Sequence, residues 1–339
     1  MTAVSSPLQL FLLHIPKTAG TTLGSLLAYQ YGERYQRVDM SGVHVRTTEG
    51  GLEVSRHREG RTPEPIDRFE LADGVEVVSG HVPVGLIGLL PRAQRSVTIL
   101  RDPVERTLSQ YYHLLGRRAA WRHEWLPAPT PELRLADAIG ERSYIPDNLQ
   151  TRMLCGLASV EEPLPGDALD QAKRELRERF TYVGTTDRFD ELVGLLNLDL
   201  GWPAVVYEPA RVNAARPRGR DVPLEEIRLA EEGNSLDREL YAEAGRLQDE
   251  RVARGGAELE TELEVLRLAR QRRDGQPGVP LRALPVEARV ELAVRESDLL
   301  DARAELRDAG RRYAKRTERW RELKRAARRR AGAPGRRRA

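Results

Sequence analysis

The fold is decided by residues 8–22, which read LQLFLLHIPKTAGTT. The first six are an apolar run long enough for a buried strand, but too short for a signal-peptide core or a membrane span. Leu23, Leu26 and Leu27 follow at helical spacing. The sequence therefore predicts a strand over Leu8–His14, a tight loop and a helix over Thr21–Tyr31.

The composition of this loop indicates a phosphate-binding site. Successive backbone N–H groups and the helix N-terminus would point to one spot beyond the edge of the sheet. Gly20 permits close backbone approach, Thr21 and Thr22 add hydroxyl donors, and Lys17 adds a positive charge. The alternative is a polar turn that carries a surface lysine. We predict a site for a 5′-phosphate or phosphosulfate made by Lys17, Thr18, Ala19, Gly20, Thr21 and Thr22.

A second phosphate-binding segment follows another predicted strand, Ser96–Leu100. Arg101 leaves the end of this strand, and Pro103 begins a predicted helix over Val104–Leu115. Ser109 lies eight residues after Arg101, two helical turns along. A guanidinium and a hydroxyl together suit a dianionic phosphate, so we expect both residues to bind one. The alternative is an Arg101–Asp102 ion pair that caps the helix.

The remaining pattern predicts a mostly parallel α/β sheet flanked by helices. Two further strands, Val75–Ser79 and Thr181–Gly184, alternate with helical segments. The polar residues 40–70 are expected to form a long loop or irregular insert. Spaced apolar positions between Val290 and Leu306 predict a C-terminal helical appendage, as a long exposed helix or coiled coil that could self-associate weakly. The predicted domains are 1–250 (catalytic), 251–284 (linker or helical segment) and 285–339 (helix with a basic tail).

Composition excludes several classes of protein. The net charge is +3, but fourteen basic and only two acidic residues lie between Arg311 and the end, so the basicity belongs to the tail. Nucleic-acid binding by the body is therefore not expected. A single cysteine, Cys155, rules out a disulfide framework and a multi-thiolate metal site, and no metal is expected. The excess of arginine over lysine is typical of a GC-rich bacterial genome, and we expect a cytoplasmic protein without a transmembrane segment.

The quoted motifs carry a family resemblance. PKTAGTT at 16–22 resembles the 5′-phosphosulfate loop of the sulfotransferases, and RDPVERTLSQYY at 101–112 resembles their 3′-phosphate segment. Together these motifs resemble those of carbohydrate sulfotransferases of the heparan sulfate 2-O-sulfotransferase type and their bacterial relatives. Further similar pieces lie in order up to residue 245: SGHV at 79–82, DNLQT at 147–151, YVGTTDRF at 182–189 and NSLD at 234–237. The resemblance implies a P-loop-like fold, 3′-phosphoadenosine-5′-phosphosulfate as donor and a hydroxyl acceptor, expected to be a carbohydrate.

Two residues are predicted to carry the chemistry. Lys17 suits the role of an electrostatic clamp on the bridging oxygen of the leaving group. His81 directly follows a strand and Gly80, and its ordinary pKa near 6.5 suits a base that removes the acceptor proton. The resemblance places a catalytic histidine at a Gly-His-Val of this type. The alternative is a strand-end histidine held by backbone hydrogen bonds. A second histidine shortly before it, expected in the heparan enzymes, is absent.

Other functions and roles stay open at this point. A kinase with an unusual phosphate loop is the second enzymatic hypothesis, although the lysine precedes the glycine instead of following it. A non-catalytic protein that binds polyanions through its basic tail is the third. Asn148 and Gln150 either contact a ligand or cap a helix. Arg106 is expected on a solvated helix face, and Tyr111 in packing.

Overall fold

The computed structural model describes residues 8–38, 40, 43–48, 51–57, 62–116, 129–130, 132–139, 144–202, 207 and 222–273. The strands are β1 (Leu8–Leu13), β2 (Tyr35–Val38), β3 (Val43–Thr48), β4 (Gly51–Arg56), β5 (Glu64–Pro65), β6 (Val77–Gly80), β7 (Ala93–Leu100) and β8 (Tyr182–Thr185). The helices are α1 (Gly20–Tyr31), α2 (Pro103–Gly116), α3 (Leu135–Ala138), α4 (Leu149–Leu154), α5 (Ala168–Glu178), α6 (Phe189–Leu200), α7 (Leu224–Glu232) and α8 (Ser235–Arg273).

A five-stranded sheet forms the centre, in the order β2-β6-β1-β7-β8. Every neighbouring pair in it is parallel. β1 is buried along almost its whole length because helices cover both faces of the sheet, which explains its continuous apolar run. The prediction of a mostly parallel sheet flanked by helices is confirmed.

Residues 43–65 depart from the prediction of a loop. β3, β4 and β5 form a separate antiparallel sheet, in which Val45 lies opposite Val54 and Thr48 opposite Gly51. In the sequence, the Gly-Gly pair at 50–51, preceded by β-branched residues, favours a hairpin at this point. The expectation of an irregular insert was wrong. These strands have an apolar side on one face only, where Val54 is buried, so they show no continuous apolar run in the sequence.

The longest helix, α8, changes direction at Gly256, whose φ of 49° and ψ of −143° are not helical. Its second half packs beside α6 and places Leu259, Val265 and Leu266 in the same apolar core as β1 and α1. The domain boundary predicted at residue 250 therefore falls inside a helix that continues into this core. The predicted appendage over 285–339 lies outside the described residues.

Two further expectations need correction. β2 was not predicted, although it forms the edge of the central sheet, where the hydroxyl of Tyr35 lies 2.6 Å from that of Ser79. Arg106 is completely buried and not on a solvated face. Tyr111 is buried and donates a hydrogen bond to the carbonyl of Leu133, in agreement with a packing role. Within the described residues, none of the helices combines the length and apolarity needed to cross a membrane.

Candidate functional site

Three adjacent strands end at one edge of the sheet and deliver the principal candidate residues there. β1 pairs with β6 on one side and with β7 on the other. The residues that directly follow these three strands are His14, His81 and Arg101. Because ligands of open parallel sheets bind beyond the carboxyl ends of the strands, this edge is the candidate site.

The loop after β1 adopts a backbone that few sequences tolerate. Lys17 has a φ of 71° and Ala19 a φ of 62°, and both are therefore left-handed. The hydroxyl of Thr18 donates to the carbonyl of Ile15 at 2.9 Å, which closes the turn from inside. Left-handed residues alternating with right-handed ones turn successive N–H groups toward one concavity, the arrangement that binds phosphate groups. Non-glycine residues held in this region are strained, and such strain is typical of functional sites.

Gly20 is the first residue of α1, and its close contact with His14 leaves no space for a side chain. A Cβ atom at this position would lie 1.9 Å from Cδ2 of His14, far inside van der Waals distance. His14 is buried, and its ring lies against Gly20 at the end of the loop. Gly20 therefore lets the loop close over His14.

His81 is joined to the loop through its ring. Its Nδ1 lies 2.6 Å from the carbonyl oxygen of His14. A carbonyl can only accept, so Nδ1 carries the proton and Nε2 of the neutral ring holds the basic lone pair. The rings of His81 and His14 also lie 4.2 Å apart between centroids. The second histidine that is missing before His81 in sequence is thus present in space.

The surroundings of His81 favour its neutral form. Burial lowers the pKa of His81 below its usual value, the hydrogen bond to His14 raises it, and the charge of Arg37 lowers it further. Burial is the largest of these effects. Arg37 lies on β2, where it is paired in register with Ser79, two residues before His81. The imidazole therefore stays neutral, and can act as a base, at a lower pH than an ordinary histidine.

Arg101 reaches the loop from the opposite side. Its Nη1 donates to the carbonyl of Lys17 at 3.3 Å, and its Nη2 forms an ion pair with Glu105 at 3.1 Å. Asp102 instead accepts the N–H of Glu105 at 2.9 Å, which makes it the N-cap of α2. The predicted alternative, an Arg101–Asp102 pair, is thus replaced by a pair with Glu105 and a separate cap.

The other predicted residues lie on the same elements. Lys17, Thr18 and Ala19 belong to the loop, while Gly20, Thr21 and Thr22 form the first residues of α1, with Thr22 buried. Ser109 is half-buried on α2. Its contact with a phosphate stays a prediction.

The sequence analysis did not decide the roles of Asn148 and Gln150. Gln150 is fully buried, and its side-chain amide binds both backbone polar groups of Arg101. Asn148 accepts the N–H of Leu236 at 2.9 Å at the start of α8. The motif containing Asn148 and Gln150 thus meets the one that begins at Asn234. Both motifs are rich in small polar residues, and this was the signal in the sequence that could have indicated their contact.

The described residues hold no group of three or more histidine, cysteine, aspartate or glutamate side chains placed to bind a metal ion. The groups that the fold brings to this edge are the backbone of the loop, the cationic Arg101 and the adjacent imidazoles of His14 and His81.

Comparison with known proteins agrees with this geometry. Residues 1–136 match the model of the sulfotransferase family. The chain is 29% identical to heparan-sulfate 6-O-sulfotransferase 1 of Cricetulus griseus over 285 residues, 70% of this chain and 67% of that protein. The Mus musculus protein of the same name is 29% identical, with 70% and 65% covered, and that of Gallus gallus 28%, with 68% and 63% covered. These relatives are of the 6-O type, whereas the motifs resembled the 2-O type, which stays unconfirmed. The matches confirm the prediction that this chain is an enzyme of the sulfotransferase kind.

Proposed function

We propose that this enzyme transfers a sulfonate group from 3′-phosphoadenosine-5′-phosphosulfate to a hydroxyl group of a carbohydrate. The observation that carries the proposal is a pair of hydrogen bonds across three strands. His81 donates to the carbonyl of His14, and Arg101 donates to that of Lys17. A base and a cation are thus fixed on opposite sides of one phosphate-type loop.

The loop and Arg101 suit the two phosphate groups of the proposed donor. Backbone N–H groups from Lys17 to Thr22 can bind the 5′-phosphosulfate, at the positive end of α1. Arg101, with Ser109 further along α2, would bind the 3′-phosphate, which distinguishes this donor from other adenine nucleotides. The side chain of Arg101 is about a quarter exposed, so its guanidinium is accessible to a ligand.

The donor supplies an activated sulfonate, whose bond from sulfur to the bridging phosphate oxygen breaks as the acceptor oxygen bonds to sulfur. Lys17 belongs to this loop, and we assign to its ammonium group the stabilisation of the negative charge that develops on the leaving phosphate. The backbone of Lys17 is left-handed, so the residue belongs to the loop and not to the helix that follows. No proton needs to be added to this leaving group, since a phosphate is stable as an anion.

His81 supplies the complementary proton transfer. With Nδ1 bound to the backbone, Nε2 is the atom that can take the proton from the acceptor hydroxyl. The lowered pKa keeps this atom unprotonated at neutral pH. Stacking on His14 restricts the tilt of the ring, which keeps Nε2 in a fixed direction.

The proposal of a carbohydrate acceptor has a separate basis. It is supported by the three relatives, each named for action on heparan sulfate, which align with two thirds of this chain or more. It is also supported by the ordered motifs shared with carbohydrate enzymes.

The test is transfer of labelled sulfonate from the donor to a panel of polysaccharides that differ in charge and linkage. We expect label on at least one polysaccharide and an equal amount of 3′,5′-diphosphoadenosine released. A matched reaction with labelled ATP and magnesium tests the kinase hypothesis. Transfer of the ATP phosphate without transfer of sulfonate would contradict the proposal.

A further inference from the structure

The backbone of Arg101 is held by a side chain from a distant part of the sequence. The carboxamide oxygen of Gln150 accepts the N–H of Arg101 at 2.8 Å, and its nitrogen donates to the carbonyl of the same residue at 2.9 Å. A primary amide bound in this paired way fixes both the position and the rotation of the peptide units it touches. Gln150 therefore controls the point at which the chain leaves β7.

Gln150 is itself fixed by a buried carboxylate. Asp237, at the start of α8, accepts the N–H of Gln150 at 3.0 Å, the N–H of Thr151 at 2.7 Å and the hydroxyl of Thr151 at 2.8 Å. These bonds satisfy the first free N–H groups of α4, which would otherwise be unpaired in the interior. The first turn of α4, and with it Gln150, is thus held in a defined place.

The carboxylate has a buried cation as its electrostatic partner. Arg106 is fully buried; burial lowers its pKa to about 10, and the charge of Asp237 offsets part of this lowering. Its Nη2 donates to Thr107 at 3.2 Å, whereas Nε and Nη1 have no hydrogen-bond partner among the described residues. Burying a carboxylate is costly unless opposite charge and hydrogen bonds compensate it. An arrangement this costly, directly behind the phosphate-binding arginine, suggests a role beyond packing.

Asparagine side chains complete the link between α4 and α8. The side-chain oxygen Oδ1 of Asn148 accepts the N–H groups of Leu236 at 2.9 Å and of Asp237 at 3.3 Å. The side-chain oxygen of Asn234 in turn accepts the N–H of Asn148 at 3.2 Å. Asp237 therefore cannot shift without disturbing α4.

We infer that Gln150 and Asp237 are positioning residues of the donor site, which orient Arg101 toward the 3′-phosphate by fixing its backbone. This inference rests on the proposed function, because it assigns Arg101 to that phosphate. Neither residue needs to touch the nucleotide. Their effect should be confined to ligands that carry a 3′-phosphate.

The chain offers a matched control in Gln248. It is also fully buried, its oxygen accepts the N–H of Thr185 at 2.8 Å, and its nitrogen donates to the carbonyl of Arg188 at 2.9 Å. Gln248 thus binds backbone groups at the end of β8, as Gln150 does at the end of β7, although its two partners are different residues. Replacing either one by methionine removes one buried amide of the same kind and keeps the volume nearly constant.

The experiment is calorimetric titration of the full chain with 3′,5′-diphosphoadenosine and with adenosine 5′-monophosphate, which lacks the 3′-phosphate. We expect Gln150→Met to reduce the ratio of the two affinities by about tenfold, the scale of one charge-assisted hydrogen bond. Gln248→Met should leave the ratio unchanged. Gln150→Glu, which keeps the acceptor but loses the donor, provides a second variant if Gln150→Met does not fold. In Gln150→Glu we expect the ratio to fall as well.

The outcomes separate the inference from the proposed function. A wild-type protein that binds both nucleotides equally would overturn the proposed function, and the inference with it. A wild-type preference that survives unchanged in the folded Gln150 variants would overturn the inference alone. An equal loss of preference in Gln248→Met would also overturn it, because the effect would then be general destabilisation.

Discussion

At the scale of single residues, His81 and Lys17 are assigned opposite ends of one reaction. His81→Ala removes the proposed base, while the proposed nucleotide-binding loop keeps its own contacts. We expect turnover to fall by about 10²- to 10⁴-fold with little change in the affinity for 3′,5′-diphosphoadenosine. Steady-state kinetics and calorimetry on the same preparation measure both quantities.

Lys17→Ala serves as the comparison. It should lower turnover with every acceptor and keep the ascending limb of the pH–rate profile, because the base is intact. His81→Ala should flatten that limb. Near-normal turnover of His81→Ala would place the base elsewhere and leave the donor site unaffected.

The charge of Arg37 gives a pH prediction. Burial and Arg37 lower the pKa of His81, and the base acts when neutral, so the ascending limb of kcat/KM should lie below pH 6.5. Arg37→Gln removes a cation that disfavours the imidazolium, so the pKa should rise and the limb should move to higher pH. Arg34→Gln, on the same segment but ion-paired with Glu76, is the control and should leave the limb in place. A limb that does not move in Arg37→Gln would argue against His81 as the titrating base.

The sequence predicted the positions of the candidate residues where the ends of strands determine them. The positions of Lys17, Gly20, His81 and Arg101 at the ends of strands follow from apolar runs and the residues that end them. The burial of Arg106 could not be predicted, because its compensating charge, Asp237, lies more than a hundred positions away. An electrostatic interaction between buried groups of distant segments leaves no local pattern.

At the scale of elements, the junction of loop and helix at Gly20 is the most constrained contact of the site. Gly20→Ala places a methyl group 1.9 Å from the ring of His14, so either the ring or the loop must move. We expect a loss of about 1–3 kcal/mol in the free energy of unfolding, together with weaker nucleotide binding. Denaturant unfolding monitored by circular dichroism measures the first, and calorimetry the second.

Gly245→Ala in α8 is the matched control, since no atom lies within 4 Å of the added methyl group. It should stabilise the protein by about 0.5–1 kcal/mol, because alanine favours a helix over glycine. If Gly20→Ala were equally harmless, the tight packing of the loop on His14 would be refuted.

Strands with a continuous apolar run could be predicted from the sequence, and half-polar strands could not. β1 and β7 are buried on both faces and stand out as apolar runs. β2 and the hairpin of β3 and β4 are short and half-polar, so their pairing depends on neighbours that a local pattern does not contain. The Gly-Gly pair at 50–51 of the sequence was a usable signal for the hairpin.

At the scale of the whole molecule, α8 connects the donor site to the far side of the core. Its first residues hold α4, and beyond the bend at Gly256 it buries apolar side chains against α6. Arg270 near its end forms a paired ion bridge with Asp190 of α6 at 2.9 and 3.0 Å. The part of the chain that packs into this core therefore continues into the last turns of α8.

A pair of truncations tests this extent. A chain ending at residue 250 lacks Leu259, Val265 and Leu266, whose burial contributes about 1.5–3 kcal/mol each, a large part of the stability of an ordinary domain. We expect it to unfold or aggregate, whereas a chain ending at residue 273 should keep a cooperative unfolding transition and bind nucleotide. A stable, active chain ending at 250 would show that the second half of α8 is dispensable. The predicted self-association through residues 285–339 lies outside the described residues and stays a prediction.

The central claim is that the loop at 16–22 and Arg101 together bind a nucleotide with phosphates at both its 3′ and 5′ positions. The most direct measurement is calorimetric titration of the wild type and of Arg101→Ala with 3′,5′-diphosphoadenosine, adenosine 5′-monophosphate and ATP with magnesium. We predict that the wild type binds the diphosphate at least tenfold more tightly than the monophosphate, the scale of one or two charge-assisted contacts, and that Arg101→Ala loses most of this preference. Equal binding of all three nucleotides by the wild type, or tighter binding and hydrolysis of ATP, would contradict the account.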